Sequence, residues 1–135
     1  MQDYILYNQH SLKPIDTLKI MFQVVNSLKH LHSVGYVHND IKPGNIMMSK
    51  DYDTTLIDFG FAKKYVDSNN KHLKQTPVDN FQGNILFASP DQQMFKSTSR
   101  RDDLISACYL LFTLLNQSHF PLCTIDQNFD EMPPT

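Results

Sequence analysis

Between residues 18 and 31, apolar side chains return every three or four positions, at Leu18, Met21, Val25, Leu28 and Leu31. This is the repeat of an amphipathic α-helix. Pro14 suits the first turn of such a helix, where its missing N–H leaves nothing unpaired. Gly35 supplies the left-handed residue that ends it. The pattern then shortens. Ile46–Met48 and Thr54–Ile57 are two brief β-prone runs on either side of the polar turn Ser49–Asp53, which predicts a hairpin. Residues 63–84 are polar, rich in Lys, Asn and Gln, and without period, so they predict a long loop of the functional or mobile kind. Ser97–Asp102 opens a second helix, on which Leu104, Cys108, Leu111 and Leu115 form the expected buried stripe. Residues 1–12 read as a short helix or an extended lead-in, and Phe120–Thr135, with three prolines, as irregular chain. The expectation is an α+β fold, mainly helical, with long helices near 14–33 and 102–116 and a small β-hairpin near 46–57.

Composition narrows the class. The chain has 135 residues, 41% of them hydrophobic, enough for the core of one domain. Twelve basic and fourteen acidic residues leave a net charge of −2, which offers no footprint for nucleic acid or an anionic membrane. The apolar run around Ala107–Leu115 is too short to span a bilayer, which takes about 20 apolar residues. No signal peptide is visible after Met1. Cys108 and Cys123 have no Cys-x-x-Cys company, and they read as reduced thiols of a cytoplasmic protein, with the nucleus as the alternative compartment.

The chemistry concentrates in Tyr36–Met48 and Leu56–Gly60. His38, Asp40, Lys42 and Asn45 are spaced H-x-D-x-K-x-x-N, and Asp58-Phe59-Gly60 begins 13 residues after Asn45. Phosphoryl transfer needs these residue types. A carboxylate must meet the substrate hydroxyl, a cation must offset phosphate charge, and an amide oxygen with a second carboxylate can hold Mg²⁺. Either motif alone is weak, because Asp also favours turns. The two in order at this separation are specific. His30 and His32 have no partner at metal-ligand spacing and read as ordinary polar or boundary residues. Lys63 and Lys64 read as a solvated pair.

These residues resemble the eukaryotic protein kinases. Three further segments resemble the casein kinase I group. Ile57-Asp-Phe-Gly-Phe-Ala-Lys-Lys-Tyr65 is similar to its I-D-F-G-L-A-K-K-Y, Gly83-Asn-Ile-Leu-Phe-Ala-Ser89 to its G-T-A-R-Y-A-S, and Ser99–Leu104 matches S-R-R-D-D-L. The resemblance covers residues 12–117. It implies a partial protein-kinase-like fold over residues 1–135, the carboxy-terminal lobe from before the catalytic-loop helix through the central helix. Residues 1–135 contain no Gly-rich loop and no V-A-I-K-like strand, so the amino-terminal lobe is expected to be missing. The resemblance implies ATP and Mg²⁺ as cofactors and a protein Ser/Thr hydroxyl as acceptor. Asp40 would take the hydroxyl proton, and Lys42 would contact the transferred phosphoryl group. Asn45 and Asp58 would hold Mg²⁺, and Ile46–Met48, Met47 among them, would floor the adenine. His38, Phe59, Gly60 and Asp103 would support the loop, with Asp103 hydrogen-bonding its backbone.

Four departures alter what the resemblance implies. Asn39 replaces the Arg of H-R-D, so control through an activation-segment phosphate is not expected. Asn84 replaces a Thr that bonds the catalytic Asp and Lys. Leu86 replaces an Arg that binds a priming phosphate. Ser89-Pro90-Asp91 stands where many kinases have A-P-E. Two other functions fit the loop motif. One is a small-molecule phosphotransferase of kinase-like fold, which shares Pro43-Gly44-Asn45. The other is a truncated pseudokinase that binds a partner without catalysis.

Overall fold

The structure is a computed structural model that describes residues 4–5 and 12–116. The predicted irregular tail and most of the polar lead-in lie outside those residues. In chain order the elements are β1 (Tyr4–Ile5), α1 (Pro14–Ser33), β2 (Tyr36–Val37), a 3-10 turn at Pro43–Asn45, β3 (Ile46–Met48), β4 (Thr54–Leu56), β5 (Lys63–Lys64), α2 (Pro90–Gln93) and α3 (Arg100–Leu115). The two long helices and the hairpin stand where the sequence pattern puts them.

Helix α1 starts on Pro14 and carries Asp16 in its first turn, where an acid complements the helix dipole. It ends at Gly35, whose φ is +87° and whose N–H donates to the His32 carbonyl at 3.1 Å. A Cβ at Gly35 would also meet Val66 Cγ2 at 2.6 Å, so both conformation and space require glycine there. β3 pairs antiparallel with β4 in the register Ile46↔Leu56, Met47↔Thr55, Met48↔Thr54, and on its other side with β1. The core joins α1 (Ile20, Met21, Val24, Leu28), the hairpin (Ile46, Met48, Leu56), Ile41 and α3 (Ala107, Leu110, Leu114).

Three expectations are corrected here. On α1 the buried stripe is Thr17, Ile20, Met21, Val24, Leu28 and His32; Leu18 and Val25 are exposed. On α3 the buried residues are Asp102, Asp103, Ser106, Ala107, Leu110, Thr113 and Leu114, while Leu104, Cys108 and Leu115 are exposed. Both helices are apolar on more than one face, so spacing alone does not set which face turns inward. The 63–84 segment also contains β5, paired with β2 as Tyr36↔Lys64 and Val37↔Lys63. Lys63 and Lys64 are exposed, as a solvated pair should be, but their backbones extend the sheet. Pairing with a distant strand overrides weak local propensity.

Candidate active site

The segment between β2 and β3 carries His38 to Asn45, and α3 supplies its anchor. Asp103 is buried in the first turn of α3. Its Oδ2 accepts the backbone N–H of His38 at 2.8 Å, and its Oδ1 accepts that of Asn39 at 2.9 Å. Oδ2 also accepts from His32 Nε2 at 2.8 Å. Three donors therefore satisfy a carboxylate that burial would otherwise penalise. His32 is the partner that spacing did not reveal. The available signal was its position four residues after Leu28, on the buried face of α1.

The His38 ring is fully buried. Its Nδ1 accepts the Asp40 N–H at 3.2 Å, and its Nε2 lies 3.2 Å from the Ile57 carbonyl. A backbone N–H can only donate, so Nδ1 is the acceptor and Nε2 carries the hydrogen that meets Ile57. This is a neutral imidazole. Burial, the largest influence, pushes its pKa below the ordinary 6.5, against smaller raising effects led by Asp103. The ring centroid lies 5.1 Å from that of Phe59, and Phe59 itself is half exposed.

Asp40 is 2% exposed. Its Oδ2 accepts from Lys42 Nζ and from Asn45 Nδ2, each at 2.7 Å, and its backbone carbonyl accepts from the same Nδ2 at 2.8 Å. Its Oδ1 is enclosed and has no partner among the described residues. An unpartnered buried carboxylate oxygen is uncommon in folded proteins. Because Asn45 uses only its amide nitrogen in these bonds, its Oδ1 remains the atom a cation could take. Asn45 is itself fixed through its backbone, donating to the Lys42 carbonyl at 3.0 Å and accepting from Ile57 N at 2.9 Å.

Asp58 follows β4 and is exposed, with φ at +61°. Its Oδ1 accepts the Gly60 N–H at 3.1 Å, a local bond that suits Asp in this left-handed conformation. Asn45 and Asp58 thus offer hard oxygen donors of the kind Mg²⁺ takes, one amide and one carboxylate. Among the described residues no cluster of three His, Cys, Asp or Glu side chains could hold a metal.

Two expectations for the site change. The segment Ile46–Met48 is not a flat floor. Ile46 and Met48 turn into the core, and only Met47 is on the opposite face, as strand alternation requires. Asn84 does not reach Asp40 or Lys42; its Oδ1 accepts the Leu86 N–H at 2.9 Å within its own turn, and Lys42 meets Asp40 directly. Ser89 caps α2, accepting from Gln92 N at 3.2 Å, and donates through its hydroxyl to Asp102 Oδ1 at 2.6 Å. Asp91 pairs with Arg101 and Lys96. The hydrogen bond from the Gln75 amide, and after it Arg101 and Lys96, hold its carboxyl below the usual range.

Comparison with known proteins agrees with this arrangement. The protein kinase domain family matches residues 1–132. A probable serine/threonine-protein kinase from Dictyostelium discoideum is 37% identical over 99 residues, covering 70% of this chain. The chain spans 20% of the length of that relative. An Asp whose oxygen is held by Lys and Asn on a loop anchored to a helix carboxylate, within a match over nearly the whole length, identifies the chain as a member of the protein kinase domain family.

Proposed function

We propose that the chain is the carboxy-terminal lobe of a serine/threonine protein kinase of casein kinase I type. The reaction would move the ATP γ-phosphoryl group to a protein Ser or Thr hydroxyl. The observation that carries the reading is Asp40, with Oδ2 held by Lys42 and Asn45 while Oδ1 is left without a partner. In this role Asp40 receives the acceptor's proton and orients its oxygen. Lys42 balances charge on the transferred group. Asn45 and Asp58 would hold Mg²⁺, which supplies charge neutralisation at the phosphates when bound. Met47 would lie beneath the adenine. His38, Phe59, Gly60 and Asp103 keep the loop in place.

The casein kinase I assignment is supported by Ile57–Tyr65, Gly83–Ser89 and Ser99–Leu104. Lys42 favours Ser/Thr over Tyr acceptors and argues against a small-molecule phosphotransferase. The proposed partners are ATP and a protein substrate, in the cytoplasm, with neither nucleic acid nor membrane. No helix among the described residues is long and apolar enough to cross a membrane. Residues 1–135 include no Gly-rich phosphate cover and no strand lysine, so this segment in isolation is proposed to be inactive.

Peptide phosphorylation by the full-length polypeptide tests the reading. Asp40→Asn and Asp58→Ala are each expected to lower kcat by about 10²–10⁴-fold, the range for lost acid–base or electrostatic groups. Near-normal turnover in Asp58→Ala would remove the metal assignment. Activity on a small alcohol but on no peptide would favour the phosphotransferase. Absence of both in the wild type would favour a binding module.

A further inference from the structure

Asn39 stands between His38 and Asp40 and joins more segments than either. It is 7% exposed with φ at +68°, a left-handed conformation in which Asn is several-fold enriched. Its N–H reaches Asp103 on α3. Its carbonyl accepts from Gln92 Nε2 on α2 at 2.9 Å. Its side-chain Nδ2 donates to the Phe61 carbonyl at 2.9 Å, just past Asp58–Gly60, and its Oδ1 accepts from Thr98 Oγ1 at 2.6 Å. The close approach continues at Gly83, where φ is +104° and a Cβ would fall 2.4 Å from the Asn39 carbonyl oxygen. Gln92 Nε2 also holds the Gln82 carbonyl at 3.2 Å.

The amide of Asn39 thus grips both ends of the segment 61–98. One end follows Asp58. The other carries the 83–89 turn and α2. Much of what lies between is irregular chain, whose placement depends on where its ends are tied. Asn39 is hydrogen-bonded through all of its polar groups to partners that are neutral apart from Asp103. Neutral bonds of this kind need no charged group to form and are little affected by salt.

We propose that Asn39 is a positioning residue. Its side-chain amide clamps segment 61–98 onto the catalytic loop and thereby sets Asp58 and the 83–89 turn. The role rests on the kinase reading above, whereas the clamp itself is tested independently of activity.

Thr98→Val removes the hydroxyl that meets Asn39 Oδ1 and keeps the side-chain shape. Asn39→Asp removes the donor to Phe61. Thr98→Ser restores the hydroxyl. Amide hydrogen exchange on the full-length polypeptide is expected to speed up about tenfold at residues 61–66 and 82–98 in Thr98→Val and Asn39→Asp, with α1 unchanged and Thr98→Ser like wild type. In the full-length polypeptide, kcat for peptide phosphorylation is expected to fall about tenfold in Thr98→Val, with KM for ATP within about twofold and recovery in Thr98→Ser. Unchanged exchange in both segments would overturn the clamp, and should Asn39→Asp fail to fold, Thr98→Val alone decides. Faster exchange with unchanged kcat would overturn the positioning role and leave the kinase reading intact. A wild type that phosphorylates no peptide would take the kinase reading and the positioning role down together.

Discussion

Asp40 presents two unlike oxygens. Oδ2 is held by a cation and an amide, and Oδ1 has no partner among the described residues. Two residues before it, His38 is neutral because burial outweighs the carboxylates around it. That has a consequence for stability. Above the ordinary value of 6.5, neither the folded nor the unfolded chain charges His38, and nothing is lost. As pH falls below 6.5 the unfolded chain takes up the proton first, so the fold loses stability until the lower folded value is passed. The melting temperature is expected to drop as pH falls below about 6.5, and His38→Gln should flatten that drop. An equal drop in His38→Gln would place its origin in another histidine.

At the scale of elements, short capped segments hold what the long helices position. Ser89 both caps α2 and donates to buried Asp102 Oδ1, whose Oδ2 accepts the Ser99 N–H at 2.8 Å. Ser89→Ala therefore removes a cap and leaves a carboxylate oxygen without its short donor. A loss of about 2–3 kcal/mol is expected in chemical denaturation; a change below about 0.5 kcal/mol would show that α2 and α3 are not coupled through this bond. Leu110→Ala, at a fully buried position of α3, should cost about 2–5 kcal/mol by leaving a cavity in the core. By contrast Leu104→Ala, on the exposed face, should lie within about 0.5 kcal/mol of wild type.

On the scale of the whole molecule, much apolar surface is left uncovered. Ile15 is 69% and Phe22 68% exposed on α1, with Leu18 and Val25 on the same side, and Phe112 and Leu115 are exposed on α3. Apolar patches of this kind favour association. Residues 1–135 in isolation are expected to scatter light as oligomers at micromolar concentration and to bind ATP–Mg²⁺ weakly in calorimetric titration. Phosphoryl transfer is mostly positioning, and without a phosphate cover the nucleotide would meet few groups that could position it. A monodisperse monomer that phosphorylates peptide at about 1–100 s⁻¹ would show the segment to be self-sufficient.

The order and spacing of His38, Asp40, Lys42, Asn45 and Asp58–Gly60 were legible in the sequence, as were both long helices, the hairpin and the stop at Gly35. Each depends on neighbours a few residues away, through period, turn chemistry or motif spacing. The inward faces of α1 and α3 were not legible, because both helices carry apolar residues on more than one face and only tertiary packing selects between them. The strand at Lys63–Lys64 needed its partner Tyr36–Val37. His32 became an anchor only when α3 brought Asp103 beside it, 71 positions along the chain. Asn39 reads in sequence as a lost arginine; the tertiary structure makes it a junction, because Phe61, Gln92, Thr98 and Asp103 converge on it from separate segments.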